Sequence, residues 1–222
     1  MRDLDGLRTR VSSLLCDGIM IAGLTIADLA RPAEPRLARL YDVALVVGGS
    51  ILIAVLAQIA VGYPVPITGQ TFGVLLAGAL LGSKRGVLCV LAYLAEGMMG
   101  LPVFSHGRAG LTMFFGPTAG YLVGFVPAAY IVGVLAERGW DRRADTTSLA
   151  MVLGSAGMYA CALTWLSCLD SLLGKPLGGG VLAVGLYPFL VGDVLKIVLA
   201  TILLPSGWKL LRHFRVDNPA EM

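Results

Sequence analysis

Apolar residues run through this chain in long blocks that charged side chains rarely interrupt. Between Val43 and Ala136 the only charged residues are Lys84, Arg85, Glu96 and Arg108. Between Thr146 and Trp208 they are Asp170, Lys175, Asp193 and Lys196. A helix that crosses a bilayer needs about 20 mainly apolar residues, so blocks of this kind predict membrane spans. The turn signals divide them into six. The first covers 42–61 and closes on Gly62-Tyr63-Pro64; the second and third cover 70–81 and 86–99, on either side of Gly82-Ser83-Lys84-Arg85. The fourth covers 118–137, the fifth 148–172 and the sixth 186–211. The second and third are short for a full crossing, which predicts that loop residues beside them dip into the protein.

Basic residues orient these spans, because cytoplasmic loops carry the excess of Lys and Arg. The N-terminal arginines as far as Arg39, then Lys84 and Arg85, Arg138, Arg142 and Arg143, and finally Lys209, Arg212 and Arg215 all fall on one side. The opposite loops hold Arg108 and Lys175. The expectation is an all-α membrane protein with six transmembrane helices and both termini cytoplasmic. Residues 1–40 read differently: the apolar stretch from Ile19 to Ala30 is short and bracketed by Asp17, Asp28 and Arg31. They are expected to form a cytoplasmic extension, part disordered and part surface helix, ahead of a membrane domain over 41–212 and a short cytoplasmic tail over 213–222.

Composition agrees with a membrane location. The chain is 57% hydrophobic and 14% charged, with a mean hydropathy of +0.82, whereas a soluble domain carries about a quarter charged residues. The net charge of +3 reflects basic residues at the membrane surface and gives no reason to expect nucleic acid. Enzyme signatures are missing. His106 and His213 lack the HExxH spacing, Gly154-Ser155-Ala156-Gly157 is not a GxSxG elbow, and Cys161 and Cys168 are too far apart for CxxC. Gly78 to Lys84 falls short of a phosphate-binding loop, so transport driven by ATP requires a partner ATPase. No catalytic residue, metal site or cofactor is expected.

The strongest chemical signal is Asp193 with Lys196 inside the last span. Intramembrane ionisable groups are costly and face a cavity or one another, and i,i+3 spacing puts both on one helix face. Asp193 falls about 9 Å along the helix from Tyr187, towards the outer surface. On that same side lie two stiff loops. One carries Pro64-Val65-Pro66-Ile67-Thr68-Gly69-Gln70; the other runs Gly100 to Gly110 with Phe104 and Arg108, followed by Gly116-Pro117-Thr118-Ala119-Gly120-Tyr121. Apolar walls with a few polar anchors suit a small amphipathic ligand. Small residues at helical spacing, Ala44/Gly48, Ser50/Ala54, Gly78/Gly82 and Gly120/Gly124, allow close helix packing. The later pairs are expected to pack inside the bundle, whereas those on the first span either pack there or meet a partner protein.

The stretch from Ala57-Gln58 through Pro64-Val65-Pro66-Ile67-Thr68-Gly69-Gln70-Thr71-Phe72-Gly73 to Gly82 closely resembles the BioY family, the biotin-binding S components of energy-coupling factor (ECF) transporters. Gly100-Leu101-Pro102-Val103-Phe104, Gly116-Pro117-Thr118-Ala119-Gly120-Tyr121, and Tyr187-Pro188-Phe189 leading to Gly192-Asp193 and Lys196 match in order, so the resemblance covers residues 41–211. It departs at Gly69, Val191 and Glu96. The resemblance implies an S-component fold in a bacterial cytoplasmic membrane, with a biotin site near the outer face. It assigns uptake to Asp193 and Lys196, with Thr68, Gln70, Phe104, Arg108, Tyr121 and Tyr187 as further substrate-binding candidates. It also implies docking through Ala44, Gly48, Ser50 and Ala54 onto a transmembrane coupling subunit that works with ABC-type ATPases, all in contact with membrane lipid. The alternative is a free-standing biotin carrier that works without those subunits. A small intramembrane enzyme and a packing scaffold are weaker readings, since neither uses the loops and the Asp-Lys pair together.

Overall fold

The computed structural model of the protein describes residues 23–61, 65–173 and 180–217, with side chains as far as Leu211. The extension before residue 23, the Gly62-Tyr63-Pro64 turn, Lys175 and the end of the tail lie outside the described residues. The described chain is almost entirely helical. Its elements are α1 (Ile26–Leu29), α2 (Pro35–Gln58), a two-residue strand pair β1 (Ala60–Val61) and β2 (Ile67–Thr68), α3 (Gln70–Met98), α4 (Ala119–Glu137), α5 (Ala144–Leu173), α6 (Val181–Gly185) and α7 (Tyr187–Asp217). Among the described residues, five helical stretches are long and apolar enough to cross a membrane: α2, α3, α4, α5 and the α6–α7 run.

α3 accounts for the sixth rod. Its 29 residues are broken at Gly82, where φ is 84° and ψ 178°, a region that only glycine occupies readily. In a straight helix Gln70 and Tyr93 would lie about 35 Å apart; here the Gln70 side-chain amide donates to the Tyr93 hydroxyl. A Cβ on Gly86 would come within 2.9 Å of the Gly78 Cα, so the two arms run back along each other. α3 is therefore a helical hairpin of arms 70–81 and 83–98. The sequence-based turn over 82–85 shrinks to the single residue Gly82. The second arm starts at once because the Glu137 carboxylate, at the end of α4, accepts from the Ser83 amide at 2.7 Å and its hydroxyl at 2.8 Å. That carboxylate caps a helix N-terminus whose first amides have no partner within the helix.

Helix edges at the basic end also extend beyond the apolar blocks. α2 starts at Pro35 rather than residue 42, with proline in its first turn, and α5 starts at Ala144 rather than 148. Hydropathy marks where lipid begins, whereas helix termini follow caps and turns, so Arg36 and Arg39 ride on helix that the pattern could not count. The last span is divided: Leu186, at φ −131° and ψ −59°, separates α6 from α7.

α4 and the hairpin form the centre. Gly78 fits against the Ala129 backbone and Gly124 against Met158 so closely that a Cβ on either would meet a carbonyl oxygen at 2.6 and 2.7 Å. α2 and α7 are peripheral, and their outward faces of Val43, Val55, Val194 and Ile202 are exposed. At the basic end the segment before α2 straps the helix ends together. Arg85 pairs with Asp28 at 2.7 Å and Asp42 at 2.8 Å, Arg31 pairs with Asp42 at 2.7 Å, and Arg142 donates to the Leu24 carbonyl at 3.3 Å. Burial alone would raise the Asp28 carboxyl, but the Thr25 amide and hydroxyl and the Arg85 guanidinium hold it below its ordinary value.

Candidate functional site

At the end opposite the strap, α3, α4, α5 and α7 and their loops enclose a cavity. Its charged pole is Asp193, only 8% exposed although α7 as a whole is peripheral. The two carboxylate oxygens are engaged separately. Lys196 Nζ lies 3.1 Å from Oδ1, and the Tyr159 hydroxyl donates to Oδ2. Lys196 also donates to Thr71 Oγ1 at 2.7 Å. The cluster thus joins α7 to α5 and to the start of the hairpin. Charges at this depth are tolerated because each is neutralised and hydrogen-bonded by the other and by its neighbours.

The second polar patch is uncharged. The β1–β2 pair, in register Ala60↔Thr68 and Val61↔Ile67, brings Thr68 inward immediately before the hairpin. Thr68 Oγ1 bonds Gln70 Oε1 at 3.1 Å, the Gln70 amide donates to Tyr93, and the Tyr93 hydroxyl donates to the Val103 carbonyl at 3.1 Å. Gly69 sits in this turn because a Cβ there would fall 2.6 Å from the Leu56 carbonyl oxygen. Between the two patches the wall is apolar, with Phe125, Met158 and Phe189 facing the cavity. Tyr121 stacks tilted on Phe189 with ring centroids 5.7 Å apart, and its hydroxyl donates to the Gly185 carbonyl. Phe104 closes the loop side, edge-on to Tyr93 and Phe114 at 5.6 and 6.1 Å.

Asp193, Lys196, Thr68, Gln70, Phe104 and Tyr121 therefore line one cavity, although they come from four separate stretches of chain. Two sequence candidates do not. Tyr187 is 59% exposed on the outside of α7; the break at Leu186 resets the helix phase, so that Phe189 turns inward in its place. Arg108 is folded back on its own loop, with Nη2 2.9 Å from Ser105 Oγ and Nε 3.1 Å from the Ser105 carbonyl. Of these two residues, Ser105 reaches the cavity wall and Arg108 does not. Residues that sequence reasoning missed include Thr71, Tyr93, Phe125, Met158 and above all Tyr159. The available signal was slight: Tyr159 is the single tyrosine of the fifth apolar block.

The first-span stripe divides as well. Ala44 and Gly48 are exposed and Ala54 is half-buried. Ser50 is fully buried, donating towards Glu96 at 2.7 Å, so it faces the hairpin and is not part of a surface stripe. That bond gives one oxygen of the Glu96 carboxylate a donor within an apolar stretch.

Comparison with known proteins places this geometry among relatives. Residues 30–213 match the BioY family, a range that opens ahead of α2. The biotin transporter BioY of Rhizobium etli is 40% identical over 161 residues, covering 69% of this chain and 83% of that protein. The biotin transporter BioY of Rhodobacter capsulatus is 41% identical over 148 residues, covering 63% of this chain and 77% of that protein. The crystal structure of the S-component for biotin from an ECF-type ABC transporter superposes with a TM-score of 0.65 at 25% identity, covering 80% of this chain and 95% of that one.

Proposed function

The chain belongs to the BioY family, and from that premise we propose that it captures biotin in the cavity around Asp193 and Lys196 and serves as the substrate-specific subunit of an ECF-type transporter. It is a multi-pass protein of the bacterial cytoplasmic membrane and a transport subunit rather than an enzyme. Biotin is its cargo, and the family calls for no cofactor. The coupling subunit and the ABC-type ATPases supply the energy, and the site residues supply recognition.

The observation that carries the assignment of the site is the Asp193–Lys196 pair set against an aromatic wall. Biotin has a ureido ring with two N–H donors and one carbonyl acceptor, an apolar thioether ring and a valerate carboxylate. The pair is neutral as a whole and offers both an acceptor and a donor, which suits the ureido ring. A second carboxylate placed there would face Asp193 at close range, so the valerate points away towards the loop that carries Ser105 and Arg108. Phe189, Tyr121 and Phe125 then pack the thioether ring.

Thermal unfolding of the chain purified in detergent tests the reading. Biotin at a thousandfold excess over its dissociation constant is expected to add about 4 kcal/mol of stability. A melting curve that biotin leaves unmoved would overturn it.

A further inference from the structure

We propose that Tyr159 is the positioning residue of the capture site, fixing the Asp193 carboxylate so that a ligand's N–H donors meet an acceptor already in place. The inference rests on reading this cavity as the biotin site. Asp193 belongs to a peripheral helix whose neighbouring residues Val191, Val194 and Leu195 are exposed at 82%, 62% and 61%. Lys196 is on that same helix and shares its ammonium with Thr71. A donor from α5 is therefore the direct tie between the carboxylate and the body of the bundle, beside the indirect one through Lys196 and Thr71.

Tyr159 is itself held. Its ring is buried and meets Tyr121 edge-on, with centroids 6.3 Å apart and planes at 82°. Tyr121 in turn bonds the Gly185 carbonyl and stacks on Phe189. Gly185 and Phe189 flank the break at Leu186 from which α7 starts. One ring stack thus places both the donor, on α5, and the helix that carries the acceptor.

The arrangement leaves capacity for a ligand. An ionised carboxylate offers about four lone-pair positions. Tyr159 and Lys196 take one on each oxygen, and among the described residues no other donor takes the second. An O–H donor to an ionised carboxylate is among the stronger hydrogen bonds, and it fixes direction as well as distance. Preorganised acceptors of this kind improve affinity by removing the ordering that binding would otherwise require. Phenylalanine would fill the same space, so the distinctive contribution of this residue is its hydroxyl.

The test is a double-mutant cycle on the full chain in detergent, reading biotin dissociation constants for wild type, Y159F, D193N and the double variant. Tyr159→Phe is expected to weaken biotin about tenfold, equivalent to about 1.4 kcal/mol, while the melting temperature without ligand changes little. In the Asp193→Asn background the same substitution is expected to cost nothing further. In vesicles with coupling and ATPase subunits, Y159F should raise the half-saturating biotin concentration and keep the maximal uptake rate. An unchanged dissociation constant in Y159F overturns the role of Tyr159 alone. Losses that simply multiply across the cycle overturn it too, because Tyr159 would then act independently of Asp193. A wild-type chain that ignores biotin takes down both this role and the site.

Discussion

Phe189 and Tyr187 stand two residues apart and have opposite surroundings, one at 6% exposure against the cavity and the other at 59% on the outside of α7. Phe189→Ala is therefore expected to weaken biotin binding by about tenfold or more, since it strips apolar surface from the ligand's wall. Tyr187→Ala is expected to leave affinity within about twofold, as for an exposed substitution. Binding titrations on both variants check this, and equal losses would mean that α7 is rotated from the arrangement described. Sequence alone could not rank the two: Gly185 and Pro188 mark a helix boundary, but the directions of the side chains beyond it depend on the backbone angles at Leu186. Asp193 and Lys196 were legible for the opposite reason: a charge within an apolar block is conspicuous wherever its partners lie. Tyr159 was not, since a hydroxyl within an apolar helix acquires meaning only when another helix brings a carboxylate to it.

At the level of elements, Gly82 is the residue on which the hairpin turns. Any side chain there must adopt φ near 84°, and a Cβ would meet Glu137 Oε1 at 2.8 Å and Thr25 Cγ2 at 3.1 Å. Gly82→Ala is expected to cost about 1–3 kcal/mol of backbone strain, read as a lowered melting temperature in detergent. Biotin should still bind the fraction that remains folded, because the break lies at the end of the arms opposite the cavity. An unaltered melting temperature would show that the turn relaxes without strain. The six apolar rods were readable from hydropathy, and their order followed from the turn residues between them. Their limits were less readable. Pro35 and Ala144 begin helices outside the apolar blocks, and Ser83 begins one only because Glu137, 54 residues away in sequence, caps it.

On the scale of the whole molecule, the proposed function assigns binding and coupling to different surfaces. The cavity sits among α3, α4, α5 and α7, whereas α2 presents Ala44 and Gly48 outward, and a Cβ on Gly48 would meet nothing within 4 Å. Gly48→Trp is therefore expected to leave biotin affinity within about twofold while impairing ATP-driven uptake several-fold in vesicles that contain the coupling and ATPase subunits. Loss of binding and uptake together would place Gly48 inside the bundle, and uptake persisting in vesicles without ATPases would favour a free-standing carrier. The helical hairpin also bears on how the chain enters the membrane as it is made. The arm 70–81 spans about 18 Å and the arm 83–98 about 24 Å, and neither alone matches a hydrocarbon core of about 30 Å. The two arms should therefore leave the translocation channel as one paired unit, with Gly82 held back at the basic end beside Lys84 and Arg85, rather than one after the other. A soluble passenger carrying residues 65–82 without α2 should wash out of membranes at high pH, and one carrying residues 65–98 should resist extraction. Equal resistance of both would mean that the first arm inserts on its own.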